Sequence, residues 1–139
     1  MESPPRHLLV VDDEPHIGLV LRPYLEQLGY RVSFARSLRE ARATLAAALP
    51  DGLLLDLHLP DGSGLDLLRE LRSSQATRAL PVIVLTAEGA EGVLAAAKSL
   101  DATLLTKPFS PTKLVARIGT LLGDAPPPSS SSRPPGESR

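Results

Sequence analysis

The sequence has no cysteine and no tryptophan, and its 139 residues include only two Tyr, two Phe and one Met. Without thiols there is neither a disulfide framework nor a thiolate metal site, which suits a reducing compartment. So few aromatic rings leave little with which to stack nucleobases. A formal net charge of -1 provides no basic excess for a phosphate backbone or an anionic lipid surface. Neither a direct nucleic-acid partner nor membrane insertion is expected. Long apolar runs are missing as well: MESPPRHLLVVDDE at the start carries four apolar residues, Leu8 to Val11, before two aspartates stop it. That stretch reads as neither a secretory leader nor a membrane span, and a cytoplasmic protein is expected.

What is present is enough apolar material, 42% of residues, for one domain with a real core. Residues 1–5 form a polar, proline-bearing lead-in, expected to be disordered. His7 to Val11 is the first predicted strand, and Pro15 stands at the first helical position, where its missing N–H costs nothing. Ile17, Val20, Leu21, Tyr24, Leu25 and Leu28 then form an apolar stripe that Gly29 closes. Pro23 lies inside this helix but off the stripe, so the carbonyl it frees can meet water. Arg31 to Ala35 is a second strand, and Ser37-Leu38-Arg39-Glu40 is a capping box that opens an Ala-rich helix reaching Leu49.

A third strand, Leu53-Leu54-Leu55-Asp56, runs into the turn-rich segment LHLPDGSG, and Ser63 or Gly64 opens the next helix. Val82 to Thr86 is the clearest remaining strand. A weaker helix spans Ala90 to Ser99, a fifth strand runs from Thr103 to Lys107-Pro108, and Ser110-Pro111 caps a last helix that stops at Gly123. Alternating strands and helices joined by right-handed crossovers predict an α/β fold, a doubly wound five-stranded parallel sheet with helices on both faces. After residue 123 the composition changes to DAPPPSSSSRPPGESR. That segment, 124–139, has too little apolar surface to offset its ordering entropy, and is expected to be a disordered tail or linker.

The predicted strand ends carry Asp12 and Asp13, Asp56, Thr86 and Lys107. In open α/β sheets the carboxyl ends of the strands form the ligand-binding edge, so these residues should converge. Clustered carboxylates repel one another at low dielectric, and a hard divalent cation with oxygen ligands relieves that repulsion. Mg2+ suits the set, because it accepts one or two direct carboxylates together with waters and a phosphate oxygen. Lys107 suits a phosphoryl group as a point charge, and Asp56 suits a nucleophile that forms an aspartyl phosphate.

Four motifs in order, VVDDEP at 10–15, DLHLPDGSG at 56–64, Thr86-Ala87, and KPF at 107–109, make residues 6–123 resemble the receiver domain of two-component response regulators, whose fold is flavodoxin-like. The resemblance extends to the single-domain chemotaxis-type regulators. It implies that Asp56 is the phosphoacceptor, loaded from a histidine kinase or phosphotransfer protein. Mg2+ would be held directly by Asp13 and Asp56, through water by Asp12, and by the backbone carbonyl of His58. Thr86 would turn its hydroxyl to the phosphoryl oxygens, Ala87 would leave room for them, and Lys107 would balance their charge. The side chains of His58 and Glu88 would tune the phosphoryl lifetime, each weighed against an ordinary solvated loop residue. Pro108 would follow a cis peptide bond. Output would pass to a downstream protein through the fourth helix, fifth strand and last helix. The switch position, aromatic in many receivers, is Leu104 here.

The function expected from this is a phosphorylation-controlled switch, an enzyme only in loading and unloading its own phosphoryl group. The alternatives are a constitutive interaction module, and a receiver fragment of a larger regulator or hybrid kinase. An Asp-nucleophile phosphatase of the haloacid dehalogenase type would need a second Asp two residues after the nucleophile. His58 stands there instead.

Overall fold

The computed structural model of the chain describes residues 6–87, 91–107 and 110–122, apart from the side chains of residues 15, 16, 87 and 91. Glu88, Pro108 and the two expected disordered ends lie outside the described residues. In chain order the elements are β1 (His7–Val11), α1 (Pro15–Gln27), β2 (Arg31–Ala35), α2 (Leu38–Ala47), β3 (Gly52–Asp56), β4 (His58–Leu59), β5 (Gly62–Ser63), α3 (Gly64–Ser73), β6 (Val82–Ala87), α4 (Glu91–Ser99), β7 (Thr103–Lys107) and α5 (Pro111–Leu122). Five strands form one parallel sheet in the order β2-β1-β3-β6-β7. No helix among the described residues is long and apolar enough to cross a membrane.

The central strands are apolar without alternation because both of their faces are buried. Successive side chains of a strand point to opposite faces. Leu9, Val11, Leu53, Leu55, Val82 and Val84 therefore meet α2, α3 and α4 on one side. Leu8, Val10, Leu54, Ile83 and Leu85 meet α1 and α5 on the other. Each fully buried Leu, Ile or Val contributes about 1.5–3 kcal/mol relative to exposure, so this double-sided core dominates the stabilisation.

Local signals set the boundaries. Pro15 opens α1 and Pro23 sits within it, without breaking the helix. The expected apolar stripe is narrower than its spacing implied. Leu21 and Leu25 are buried, but Val20 and Leu28 are 53% and 41% exposed, because α5 and the sheet cover only part of that face. The amide of Glu40 donates to Ser37 Oγ, as a capping box requires. The Glu40 carboxylate reaches one residue further back than expected, accepting from the Arg36 amide. Ala48 is extended at φ -164°, so α2 ends at Ala47 rather than at Leu49. The segment after Asp56 holds a feature that its turn residues did not announce, a two-stranded antiparallel hairpin of β4 and β5.

Candidate phosphoacceptor and metal site

Four strands end at one edge of the sheet, and each brings one of the expected side chains. Asp56 is the last residue of β3 and lies beside Leu85, which sets Thr86 one residue further along β6. Lys107 is the last residue of β7 and pairs with Ala87. Asp12 directly follows β1, and its amide donates to the Ala35 carbonyl, which fixes the chain as it leaves the sheet. The loop beyond Asp56 turns back sharply at Gly64. A Cβ there would fall 2.5 Å from the Asp56 carbonyl oxygen, so only glycine fits.

One ligand oxygen from each of Asp12, Asp13 and Asp56 lies within 4.8 Å of the others. Asp12 and Asp56 are buried, at 3% and 5% exposure, and Asp13 is exposed. Lys107 Nζ donates to Asp56 Oδ2 at 2.9 Å and to Asp12 Oδ2 at 3.1 Å. The remaining oxygen of each buried acid is held by backbone. Asp12 Oδ1 accepts from the Glu14 amide at 2.9 Å, and Asp56 Oδ1 from the His58 amide at 3.0 Å. The buried carboxylates are thus paired and oriented rather than bare, as desolvated charges must be.

Electrostatics follow from this packing. Burial pushes the Asp12 carboxyl above the usual carboxylate range, against the pull of the Glu14 amide and the Lys107 ammonium, and the Asp56 charge adds to the rise. Burial works on Lys107 in the opposite sense, disfavouring its charge. Its hydrogen bonds to Asp56 and Asp12 outweigh that and hold the ammonium above the ordinary lysine value. Its two carboxylate partners thus favour the ammonium form of Lys107. Three carboxylates around one ammonium leave net negative charge in a cleft, and oxygen donors alone are a set for a hard divalent cation.

Of the other expected residues, Thr86 is buried at 2% exposure near the end of β6. His58 is exposed in β4, its amide on Asp56 and its side chain open to solvent. Leu104 is half-buried in β7 and packs against the cluster that contains Ala97. The backbone of Ala87 ends β6, whereas Glu88 and Pro108 fall outside the described residues. Glu14 was missed as a site residue: its carboxylate lies 3.4 Å from Lys107 Nζ. Its place directly after the two aspartates was the available signal. Asp61 was also missed, and it bonds to the first turn of α2.

The sequence matches the family described as "Response regulator receiver domain" over residues 8–119. Among curated proteins, the phosphate regulon transcriptional regulatory protein PhoB of Pseudomonas aeruginosa is 39% identical over 116 residues, covering 83% of this chain and 51% of that protein. The chain thus spans about half the length of this relative. Among solved structures, the chemotaxis protein CheY4 of Vibrio cholerae superposes with a TM-score of 0.77 at 28% identity, covering 84% of this chain and 98% of that one. The receiver domain of a sensor histidine kinase from Pseudomonas aeruginosa, solved with a magnesium ion coordinated in its active site cleft, gives 0.76 at 28% identity, covering 86% and 99%. With the family matched across residues 8–119 and the fold shared with these receivers, the chain belongs to the response regulator receiver domain family.

Proposed function

We propose that this chain is a phosphorylation-controlled signalling switch whose phosphoacceptor is Asp56. The observation that carries this reading is the meeting of Asp12, Asp13, Asp56 and Lys107 at one sheet edge, from positions up to 95 residues apart. Asp13 and Asp56 would hold Mg2+ directly, with Asp12 acting through water and His58 through its backbone carbonyl. The bound cation would supply positive charge for the phosphoryl oxygens.

Transfer begins with a carboxylate oxygen of Asp56 attacking phosphorus. The P–O bond forms as the P–N bond to the donor histidine breaks, and the leaving imidazole nitrogen takes up a proton. The His58 amide and the Lys107 ammonium hold the two Asp56 oxygens before reaction, so the nucleophile is oriented in advance. Lys107 would also balance the new phosphoryl charge, with Glu14, 3.4 Å from its ammonium, as a third anchor while that contact changes hands. The Thr86 hydroxyl would then turn to the phosphoryl oxygens, with Ala87 leaving room beside it. His58 and Glu88 would tune how long the acyl phosphate survives. The donor would be a histidine kinase or phosphotransfer protein in the cytoplasm. The reader would be a protein that docks on α4, β7 and α5.

A second reading, the receiver portion of a longer regulator, is favoured by the relative of about twice this length. On that reading residues 124–139 are a linker, and the neighbouring coding sequence distinguishes the two. Intact-mass measurement after incubation with Mg2+ and a small acyl phosphate tests the chemistry. Wild type should gain one phosphoryl group, and chelator or Asp56→Ala should abolish the gain. Label that persists in the variant would overturn the assignment.

A further inference from the structure

The amides that open a helix have no partner within it and must be capped. In α2 the Glu40 amide is capped by Ser37. The two amides before it are capped from elsewhere in the chain: Asp61 Oδ1 accepts from Leu38 N at 2.8 Å and Asp61 Oδ2 from Arg39 N at 3.0 Å. Those bonds hold the Asp61 carboxyl below its ordinary value, the Leu38 amide contributing most. The next residue, Gly62, has φ +147° and lies so close to α2 that a Cβ would come within 2.8 Å of Leu38 Cδ1. Asp61 and Gly62 together seat the β4–β5 hairpin on the first turn of α2.

The same hairpin reaches the acceptor. His58 pairs with Ser63, and Leu59 with Gly62. The amide of Gly64 donates to the Leu57 carbonyl at 2.9 Å, closing the base of the loop. The His58 amide then donates to Asp56 Oδ1. A continuous path of hydrogen bonds and one glycine contact therefore runs from the N-terminus of α2 to the acceptor carboxylate. Within the hairpin the Asp61 side chain ties the loop to α2, far away in sequence, while Ser63 Oγ caps the adjoining α3 by accepting from the Leu65 amide.

We propose that Asp61 is a positioning residue for the acceptor site: by clamping the hairpin to α2 it fixes the His58 backbone, and so sets the orientation of Asp56 and the Mg2+ affinity of the cluster. The inference rests on the function proposed above and adds a residue outside the site to it. Asp61 touches neither phosphoryl donor nor acceptor, and it acts through the four residues that separate it from Asp56. Its loss frees the loop without removing any ligand.

Two variants of one helix cap separate positioning from plain stability. Ser37→Ala removes a cap bond from α2 without touching the hairpin, and Asp61→Ala removes two and releases it. Both should lower the melting temperature. Only Asp61→Ala should speed hydrogen exchange at the His58 amide in Mg2+-free protein and weaken Mg2+ binding in calorimetry, by about tenfold as for residues that support metal ligands. Asp61→Asn, which keeps one acceptor oxygen, should lie between. If Asp61→Ala, or Asp61→Asn should the alanine variant not fold, leaves both readouts at the wild-type value, the proposal is overturned. Failure of the wild type to take up a phosphoryl group would sink the proposed function, whereas exchange at the His58 amide would still report on the clamp.

Discussion

Lys107 Nζ lies 2.9 Å from Asp56 Oδ2 across 51 residues of sequence, and the same ammonium reaches the buried Asp12 at 3.1 Å. One cation thus neutralises parts of two strand ends. Lys107→Met keeps the stem and removes the charge, leaving two buried carboxylates uncompensated. The expected loss is about 2 kcal/mol at neutral pH, below the range for fully buried pairs because the lysine is 23% exposed. Saturating Mg2+ should then raise the melting temperature of the variant more than that of wild type, because the cluster has lost its internal counter-ion. Equal Mg2+ responses in thermal melts would contradict this.

At the opposite edge of the sheet His7 is 8% exposed. Its Nε2 lies 2.8 Å from Ser33 Oγ, and its Nδ1 is buried with no hydrogen-bond partner. Burial first, then the Arg31 charge, lowers its pKa below 6.5, with Asp51 opposing. Between that lowered folded value and 6.5 the unfolded chain binds more protons, so this residue makes stability rise with pH across the window. The melting temperature should fall as the solution is acidified through 6.5, and His7→Gln should flatten that portion of the profile. An unchanged slope would show that other groups dominate.

In the last turn of α3 the guanidinium of Arg72 works as a tie. It donates to the carbonyls of Leu100 at 2.7 Å, Leu80 at 2.8 Å, Arg78 at 3.0 Å and Asp101 at 3.3 Å. Arg72→Ala should cost about 3 kcal/mol, since charge-assisted bonds disappear and carbonyls near the core lose their donor. Arg72→Lys should recover only part of it, because a single ammonium cannot span the fork. Chemical denaturation of both variants measures this, and full recovery by lysine would refute the argument.

The resemblance to receivers would make Leu104 the switch position, with leucine in place of an aromatic. Its side chain is half-buried and its carbonyl accepts from Arg117 Nη1 at 3.1 Å. A leucine has no hydroxyl whose burial can be gated, so its rotamers should differ little in free energy between the two states, and a ligand shifts an equilibrium only by its differential affinity. The change on phosphorylation is expected to fall across residues 88–99, where Gly89 and Gly92 lower helix propensity. Hydrogen exchange with and without a phosphoryl mimic should change there and little around Leu104. Dominant changes at Leu104 and α5 would reverse the conclusion.

Much of the molecule was legible in one dimension because its signals are local. Leu53-Leu54-Leu55 reads as a strand buried on both faces, Pro15 marks a helix start by its fixed φ and missing N–H, and Ser37, Ser63 and Ser110 mark theirs through bonds that span three residues or fewer. Asp12, Asp13, Asp56 and Lys107 could be grouped from sequence, because the ends of parallel strands share one edge whatever the loops do. What tertiary structure alone decided depends on distance in space between residues far apart in the chain. The extent of the α1 stripe depends on what covers it, so Val20 and Leu28 kept the helical period and still faced solvent. In the sequence the polar residues Asp61 and Arg72 carry no pattern that distinguishes a solvated side chain from a clamp. Their roles arise only when the fold brings the α2 amides beside the hairpin and the end of α4 beside α3, where free backbone groups must find partners.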